Sequence, residues 1–164
     1  NEVLVSACAK AGIAAMTGDG VNADVMKCAT EAIKKSAGIG IPTVKPWNLE
    51  TVKEKMRLVE DSGAFAVAMD VDAAGLPFLK NMTPPAGRKS VEELHKIAAS
   101  TRAPFIVKGI MTVRGALKAE AAGADAILLD VKTGSGAFMK EESDAIQLAK
   151  EMVEIGRASC RERV

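Results

Sequence analysis

The chain of 164 residues holds one histidine, His95, and it lies in a segment of helical period far from any strand end. Chemistry that needs an imidazole as proton acceptor therefore has no evident candidate at the places where ligands collect. No sign of charge dominates either: 22 basic against 21 acidic residues leave a net charge of +1. That balance provides no field to draw nucleic acid or an anionic membrane, and neither partner is expected. Cys8, Cys28 and Cys160 are too few and too scattered for a metal-ligand pattern or a disulfide scaffold. An odd number of thiols fits a reducing compartment, and a cytoplasmic location is expected. No apolar run approaches the roughly 20 residues needed to span a bilayer, and no signal peptide is recognised. Asn1 rather than Met opens the chain, as in a sequence that starts inside a longer reading frame.

What is present is ordinary in bulk and specific in one place. Hydrophobic residues make up 48% and charged residues 26%, enough to build a core and too apolar for disorder. Short apolar runs at Ile13 to Met16, Ile41 to Val44, Ala64 to Val71, Phe105 to Lys108 and Ala126 to Val131 read as strands. Between them lie helical stripes, among them Val25, Ala29, Ala32 and Ile33, then Val52, Met56 and Val59, then Val91, Leu94, Ile97 and Ala98. Ser90 and Glu93 have the spacing of a capping box, and Gly123 stands where a helix would end after Lys118 to Ala122. Near-continuous apolar strands alternating with helices predict an α/β fold with a parallel sheet.

In such folds ligands gather at the carboxyl ends of the strands. That end carries Thr17-Gly18-Asp19-Gly20, Lys45-Pro46-Trp47, Asp70 with Asp72, Lys108-Gly109, and Asp130 with Lys132. Loop residues are polar in any fold, which suffices to explain most of these taken singly. Lys108 is different: it ends an apolar strand in Pro104-Phe105-Ile106-Val107-Lys108-Gly109, where a cation is costly to bury and poorly placed for packing. A bound anion or an electron-rich ring explains it. Asp70 and Asp72, two apart, are expected to face the same way, but no third ligand accompanies them and no metal is predicted.

These residues carry a resemblance. From about Gly12 to Ile127 the chain resembles the FMN-dependent α-hydroxy-acid oxidases and dehydrogenases, the (β/α)8-barrel family of glycolate and lactate oxidases. The matching pieces are the stretch from Ala11 to Gly20, that from Gly63 to Asp72, Lys89 to Glu93, Pro104 to Ile110, and Ala121 to Asp125. The resemblance implies a partial TIM barrel of parallel βα repeats, incomplete at both ends, with five strands of the full complement of about eight. It implies FMN as cofactor and a 2-hydroxy acid as substrate, oxidised to the 2-oxo acid. In similar enzymes the lysine at the position of Lys108 approaches the pyrimidine edge of the flavin and stabilises the negative charge that arrives there, which makes it both a cofactor-binding and a catalytic residue. The same likeness places Thr17 and Gly18 beside the isoalloxazine ring, puts Asp70 where many members carry threonine, and leaves Lys45 facing flavin, substrate carboxylate or solvent. The family's histidine segment, Ser-Asn-His-Gly-Gly-Arg, should follow Ile127; the chain reads Leu128-Leu129-Asp130-Val131-Lys132 instead, so an inactive fragment is expected.

From Gly123 to Ile155 the chain resembles pyrimidine-nucleoside and thymidine phosphorylases, through Gly123-Ala124-Asp125-Ala126-Ile127-Leu128-Leu129-Asp130-Val131-Lys132-Thr133-Gly134-Ser135-Gly136-Ala137-Phe138-Met139-Lys140 and the helix after it. The last stretch, 154–164, resembles a translated sequencing adapter, its alternative being a charged disordered terminus. The expected organisation is therefore 1–127 as the central part of an FMN-binding barrel, 128–155 as a phosphorylase-like loop and helix across a chimeric join, and 156–164 as a tail. A phosphorylase fragment, or a chimera without function, is the alternative reading. Exposed sheet edges predict poor solubility or association, a homo-oligomer being one form of it. Thr17-Gly18-Asp19-Gly20-Val21-Asn22 also resembles a P-type ATPase hinge, but its companion aspartate motif is interrupted at Asp130, and Gly134-Ser135-Gly136 lacks the third glycine of a dinucleotide loop.

Overall fold

In a computed structural model, residues 1–83, 85–137 and 139–161 are described. Five strands, β1 (Ala15–Thr17), β2 (Gly40–Val44), β3 (Val67–Asp70), β4 (Phe105–Lys108) and β5 (Ala126–Leu128), form one sheet in the order in which they occur along the chain. Every pairing is parallel. Among the described residues seven helices join or flank them: α1 (Glu2–Lys10), α2 (Ala23–Lys35), α3 (Leu49–Ser62), α4 (Pro77–Lys80), α5 (Val91–Ala98), α6 (Val113–Ala121) and α7 (Glu142–Arg161). A 3-10 turn, Val71–Gly75, follows β3 directly. Strand followed by helix followed by adjacent parallel strand is the repeat of a (β/α) barrel, and the expected α/β class and barrel-type sheet are found.

Local chemistry fixes the helix ends. The side chains of Asn22 and Asn48 accept from the backbone N–H of Asp24 (2.9 Å) and Thr51 (3.0 Å), and Thr112 accepts from Gly115 (3.0 Å). Ser90 and Glu93 form the expected capping box, with N–H donors of Glu93 and Ser90 satisfied at 3.2 and 2.8 Å. Gly63 ends α3 with φ of 68°, in the left-handed region that other residues avoid.

Register decides which strand residues face which way. Side chains of directly paired residues in a parallel sheet point to the same side, and they alternate along each strand. Val44, Met69, Val107 and Ile127 share a row, and the first three are fully buried under the helices with Phe105, Ile33 and Met56. The opposite side carries Met16, Ile41, Thr43, Ala68 and Ile106, then Lys45, Asp70 and Lys108 toward the carboxyl ends. This is the side that lines the interior of a barrel.

The structure departs from the sequence reading at several points. Helix α1 is additional; only Val5 of its nine residues is buried, so its apolar stripe is too thin to read. The expected strand from Ala64 to Val71 is shortened to Val67–Asp70, because the chain turns at once into 3-10 geometry at Val71. The strand from Ala126 stops at Leu128, and its final pairing is with Lys108 at the end of β4. Helix α7 continues through Arg161, so the segment from Gly156, expected as an irregular tail, is helical that far; 162–164 lie outside the described residues, as does the Phe138 of the phosphorylase-like stretch.

Candidate active site

Four charged side chains meet at the carboxyl end of the sheet. The register pairs Asp70 with Lys108, and the Lys108 ammonium donates to Asp70 Oδ1 at 3.1 Å. Lys45, just beyond β2, brings its Nζ to 4.0 Å from Asp70 Oδ2. Asp72, in the 3-10 turn rather than on the strand, lies close enough to Asp70 for the two carboxyls to influence each other. Its carboxylate rests against Gly109: a Cβ at that residue would lie 2.5 Å from Asp72 Oδ1, and Gly109 has φ of 91°. Glycine is required there both by the close approach and by the backbone.

The electrostatics separate the two carboxyls. Partial burial raises Asp70, but the neighbouring Asp72 carboxyl and the bond and charge of Lys108, with the charge of Lys45, hold it below its ordinary value. Partial burial, then the proximity and charge of Asp70, push Asp72 up. For Lys108 burial acts downward; the bond and charge of Asp70, with the charges of Asp72 and Asp130, outweigh it and keep the ammonium protonated. Lys108 also faces a cavity of about 500 Å³ beside Asp72, bounded by Ile110, Met111, Leu128 and, from α7, Leu148 and Met152. Asp130 and Lys132 form an ion pair on its rim.

The structure thus brings together Lys45, Asp70 and Lys108 of the residues singled out from sequence. Thr17 is not among them. Its register partner is Pro42, which alternation places in the row of Val44, so its side chain lies on the helix-covered side, away from Lys108. It is 2% exposed, and its hydroxyl is the one buried side-chain polar atom without a hydrogen-bond partner among the described residues. Gly18 beside it is exposed. Thr17 thus stands at the same end of the sheet as the other three, with its side chain on the opposite face. His95 lies near Gly123, ahead of β5, at the end of the sheet opposite the lysines. Among the described residues no group of three or more His, Cys, Asp or Glu side chains could hold a metal ion.

Sequence reasoning missed a second cluster under the same rim. Asp19 accepts from Trp47 Nε1 (2.6 Å), Lys55 Nζ (2.8 Å) and the backbone N–H of Lys45 (3.1 Å), with its carboxylate fully buried. Lys55 Nζ also stands 5.9 Å from the centre of the Trp47 ring. The only signal was an aspartate between two glycines after a strand, and its partners come from 26 to 36 residues further on. By holding the Lys45 backbone, Asp19 fixes the root of a side chain that reaches the upper cluster.

A flavin ring asks for an apolar floor and a cation at one edge. Met16, Ile41, Ala68 and Ile106 provide the first on the interior side of the sheet, and Lys108 with Lys45 the second. The residues present fit the ring, with one reservation built into the chain: Asp70 places a negative charge within the cationic edge.

By architecture the chain is a (β/α)-barrel protein. A solved structure of mandelate oxidase with 3,3-difluoro-2-hydroxy-3-phenylpropionic acid superposes with a TM-score of 0.67 over 96% of this chain and 49% of that chain, at 21% identity. Within that architecture, residues 78–134 match the family model described as FMN-dependent dehydrogenase, a stretch that includes α5, β4 with Lys108, α6 and β5. The resemblance to FMN-dependent hydroxy-acid oxidases holds over that stretch, and FMN is the cofactor that the match indicates. The phosphorylase resemblance holds as well. The pyrimidine-nucleoside phosphorylase of Bacillus subtilis (strain 168) is 49% identical over 77 residues, 46% of this chain and 16% of that protein. That of Staphylococcus epidermidis (strain ATCC 35984) is 38% identical over 118 residues, 71% of this chain and 24% of that protein. A match of 118 residues cannot fit within 123–155, so this likeness also covers part of the sequence that resembles the oxidases. The chain spans less than a quarter of the length of these phosphorylases and about half that of the mandelate oxidase. No described helix is long and apolar enough to cross a membrane.

Proposed function

We propose that this chain is a segment of an FMN-dependent oxidoreductase that converts 2-hydroxy acids to 2-oxo acids. The observation that carries the reading is Lys108: a protonated ammonium at the carboxyl end of β4, facing the barrel-interior side, inside the stretch that matches the FMN-dependent dehydrogenase model. When bound, FMN supplies the two-electron acceptor. Lys108 contributes positive charge where negative charge accumulates, and Lys45 a second cation within reach of a substrate carboxylate. Gly18 and Thr17 keep, in this reading, at most a backbone contact beside the ring, since the Thr17 side chain is turned to the helices.

The reading is tested by titrating FMN with the chain and following flavin fluorescence. Saturable quenching, weakened about tenfold or more by Lys108→Ala, is expected; the absence of quenching in the wild type overturns it. A second reading is supported by the 49% identity over 77 residues to a pyrimidine-nucleoside phosphorylase. Phosphate-dependent release of uracil from uridine, without flavin binding, would establish that reading in its place.

The division into 1–127, 128–155 and 156–164 belongs to the same proposal, with a cytoplasmic setting in keeping with the free thiols of Cys8 and Cys28. A long read of the source DNA across the codons for Ala121 to Val164 tests the join. A frame that runs from Ile127 into Ser-Asn-His makes the residues after Ile127 foreign to the enzyme; a read that reproduces the present sequence makes the join natural and the missing histidine genuine, and leaves Lys108 at most a flavin-binding role.

A further inference from the structure

We propose that the cavity between α2 and α3 is a second binding site, built for a small aromatic carboxylate and distinct from the strand-end cluster. It holds about 450 Å³, within the range of small-molecule pockets, roughly 300 to 1,000 Å³. All the residues that line it fall between Gly20 and Thr83, inside the barrel stretch, so the site does not depend on anything after Ile127. Helices α2 and α3 cover the outer side of the sheet, through Ile33 and Met56, whereas Lys45, Asp70 and Lys108 lie on the interior side. A ligand held here is therefore separate from the proposed 2-hydroxy acid, and its binding does not require flavin.

The walls of the cavity suit a ring. Met26, Leu58, Met82 and the Trp47 indole line it, and thioethers and indoles both make favourable contacts with an aromatic partner. One corner suits an anion. Lys55 is only 9% exposed, yet it lines the cavity. Among the described residues the one hydrogen-bond acceptor of its Nζ is Asp19 Oδ1, at 2.8 Å. An ammonium has further N–H donors to satisfy. The other oxygen of Asp19 is already taken by Trp47 Nε1 and the Lys45 backbone N–H, so the remaining donors are left to whatever fills the cavity. A carboxylate oxygen accepts such donors in charge-assisted bonds. Because Nζ stands 5.9 Å from the centre of the Trp47 ring, a group that reaches the ammonium also meets the indole. At the exposed rim Lys27 adds positive charge, and Glu54 disfavours a second negative charge on the occupant. One ring with one carboxylate matches all of these groups.

Trp47 is the only tryptophan and the chain has no tyrosine, so intrinsic fluorescence reports on this cavity. Titrating the full chain with phenylacetate, in the absence of flavin, is expected to change Trp47 emission saturably. Phenethyl alcohol, which keeps the ring without the charge, and acetate, which keeps the charge without the ring, are each expected to bind about tenfold more weakly or worse. Lys55→Gln is expected to weaken phenylacetate about tenfold and to leave phenethyl alcohol unchanged. Leu58→Phe narrows the cavity without touching the buried charges; it is expected to weaken both ligands, and it carries the test if Lys55→Gln does not fold. No saturable change in the wild type overturns the proposal, as does acetate binding equal to that of phenylacetate, or phenylacetate affinity unaltered by Leu58→Phe. Affinity lost in Lys108→Ala but kept in Lys55→Gln places the carboxylate at the strand-end cluster and overturns it too. A chain that fails to bind FMN but passes these tests overturns the flavin reading and leaves this site standing.

Discussion

The carboxylate of Asp19 has an indole N–H, an ammonium and a backbone N–H converging on it inside the protein. Removing it strands the Lys55 ammonium, itself almost buried, without its counter-charge. Asp19→Ala is expected to lower stability by about 3 to 5 kcal/mol, the usual consequence of breaking a buried pair, as read by urea unfolding; a loss below about 1 kcal/mol would show that water reaches Lys55. Thr17 presents the opposite case. Its hydroxyl is buried and unpartnered, so Thr17→Val, which keeps the shape and removes the polar atom, is expected to raise stability by up to about 1 kcal/mol in the same measurement. Residue chemistry of this kind was half legible from sequence. Lys108 announced itself by standing at the end of an apolar strand, but the partners of Asp19 lie after β2 and within α3, and nothing local ties Asp19 to Trp47 or Lys55. Thr17 misled for a related reason: its place at a strand end was readable, and the side it faces depends on a register with Pro42 that only the folded sheet defines.

Among the elements, α3 does more than cover the sheet. Its Glu60 reaches the loop ahead of β4, accepting from Arg102 N–H at 2.7 Å, Thr101 Oγ1 at 2.8 Å and Arg102 Nε at 3.1 Å. The Arg102 backbone N–H, then Thr101, against a smaller opposing effect of burial, bring the Glu60 pKa down to about 2 from an ordinary 4.5. A carboxyl whose folded value lies below its unfolded one stabilises the fold above the unfolded pKa and loses that contribution as pH falls through the folded one. Stability is therefore expected to decline between about pH 4.5 and pH 2, and Glu60→Gln should flatten that part of the curve; an unchanged slope in the variant would assign the acid sensitivity to other groups. The start of α5 offers a second check. Ser90→Ala removes one half of the capping box and is expected to cost about 1 kcal/mol in thermal or urea unfolding. That box was readable because both partners lie three residues apart in the chain. By contrast, α1 was not, since a helix with one buried residue carries almost no periodic signal.

For the whole molecule the decisive feature is an open sheet. Strands β1 and β5 each pair on one side only among the described residues, and several large apolar side chains are exposed, including Ile13, Phe65, Phe78 and Met111. Unpaired strand edges and apolar surface favour self-association. Sedimentation velocity over a range of concentrations is expected to show a rising weight-average mass, and a single monomeric species at all concentrations would refute it. The fold class was legible because parallel βα repeats combine two distinct periodicities, which short windows of sequence display. The stretch shared with both oxidases and phosphorylases shows the limit of such reading: a strand, a glycine turn and a helix can satisfy both families at once, so local likeness does not choose between them.

The order β1-β2-β3-β4-β5 has a consequence in time as well as in space. Each strand's partner is the one that precedes it along the chain, so as synthesis proceeds every new strand finds its docking edge already made. The sheet can grow from the first strand toward the last without waiting for any later segment, and the lysine of β4 meets its aspartate on β3 as soon as that strand arrives. Assembly of the charged cluster is thereby coupled to elongation itself, and the cavity against α7 closes only after that cluster is made.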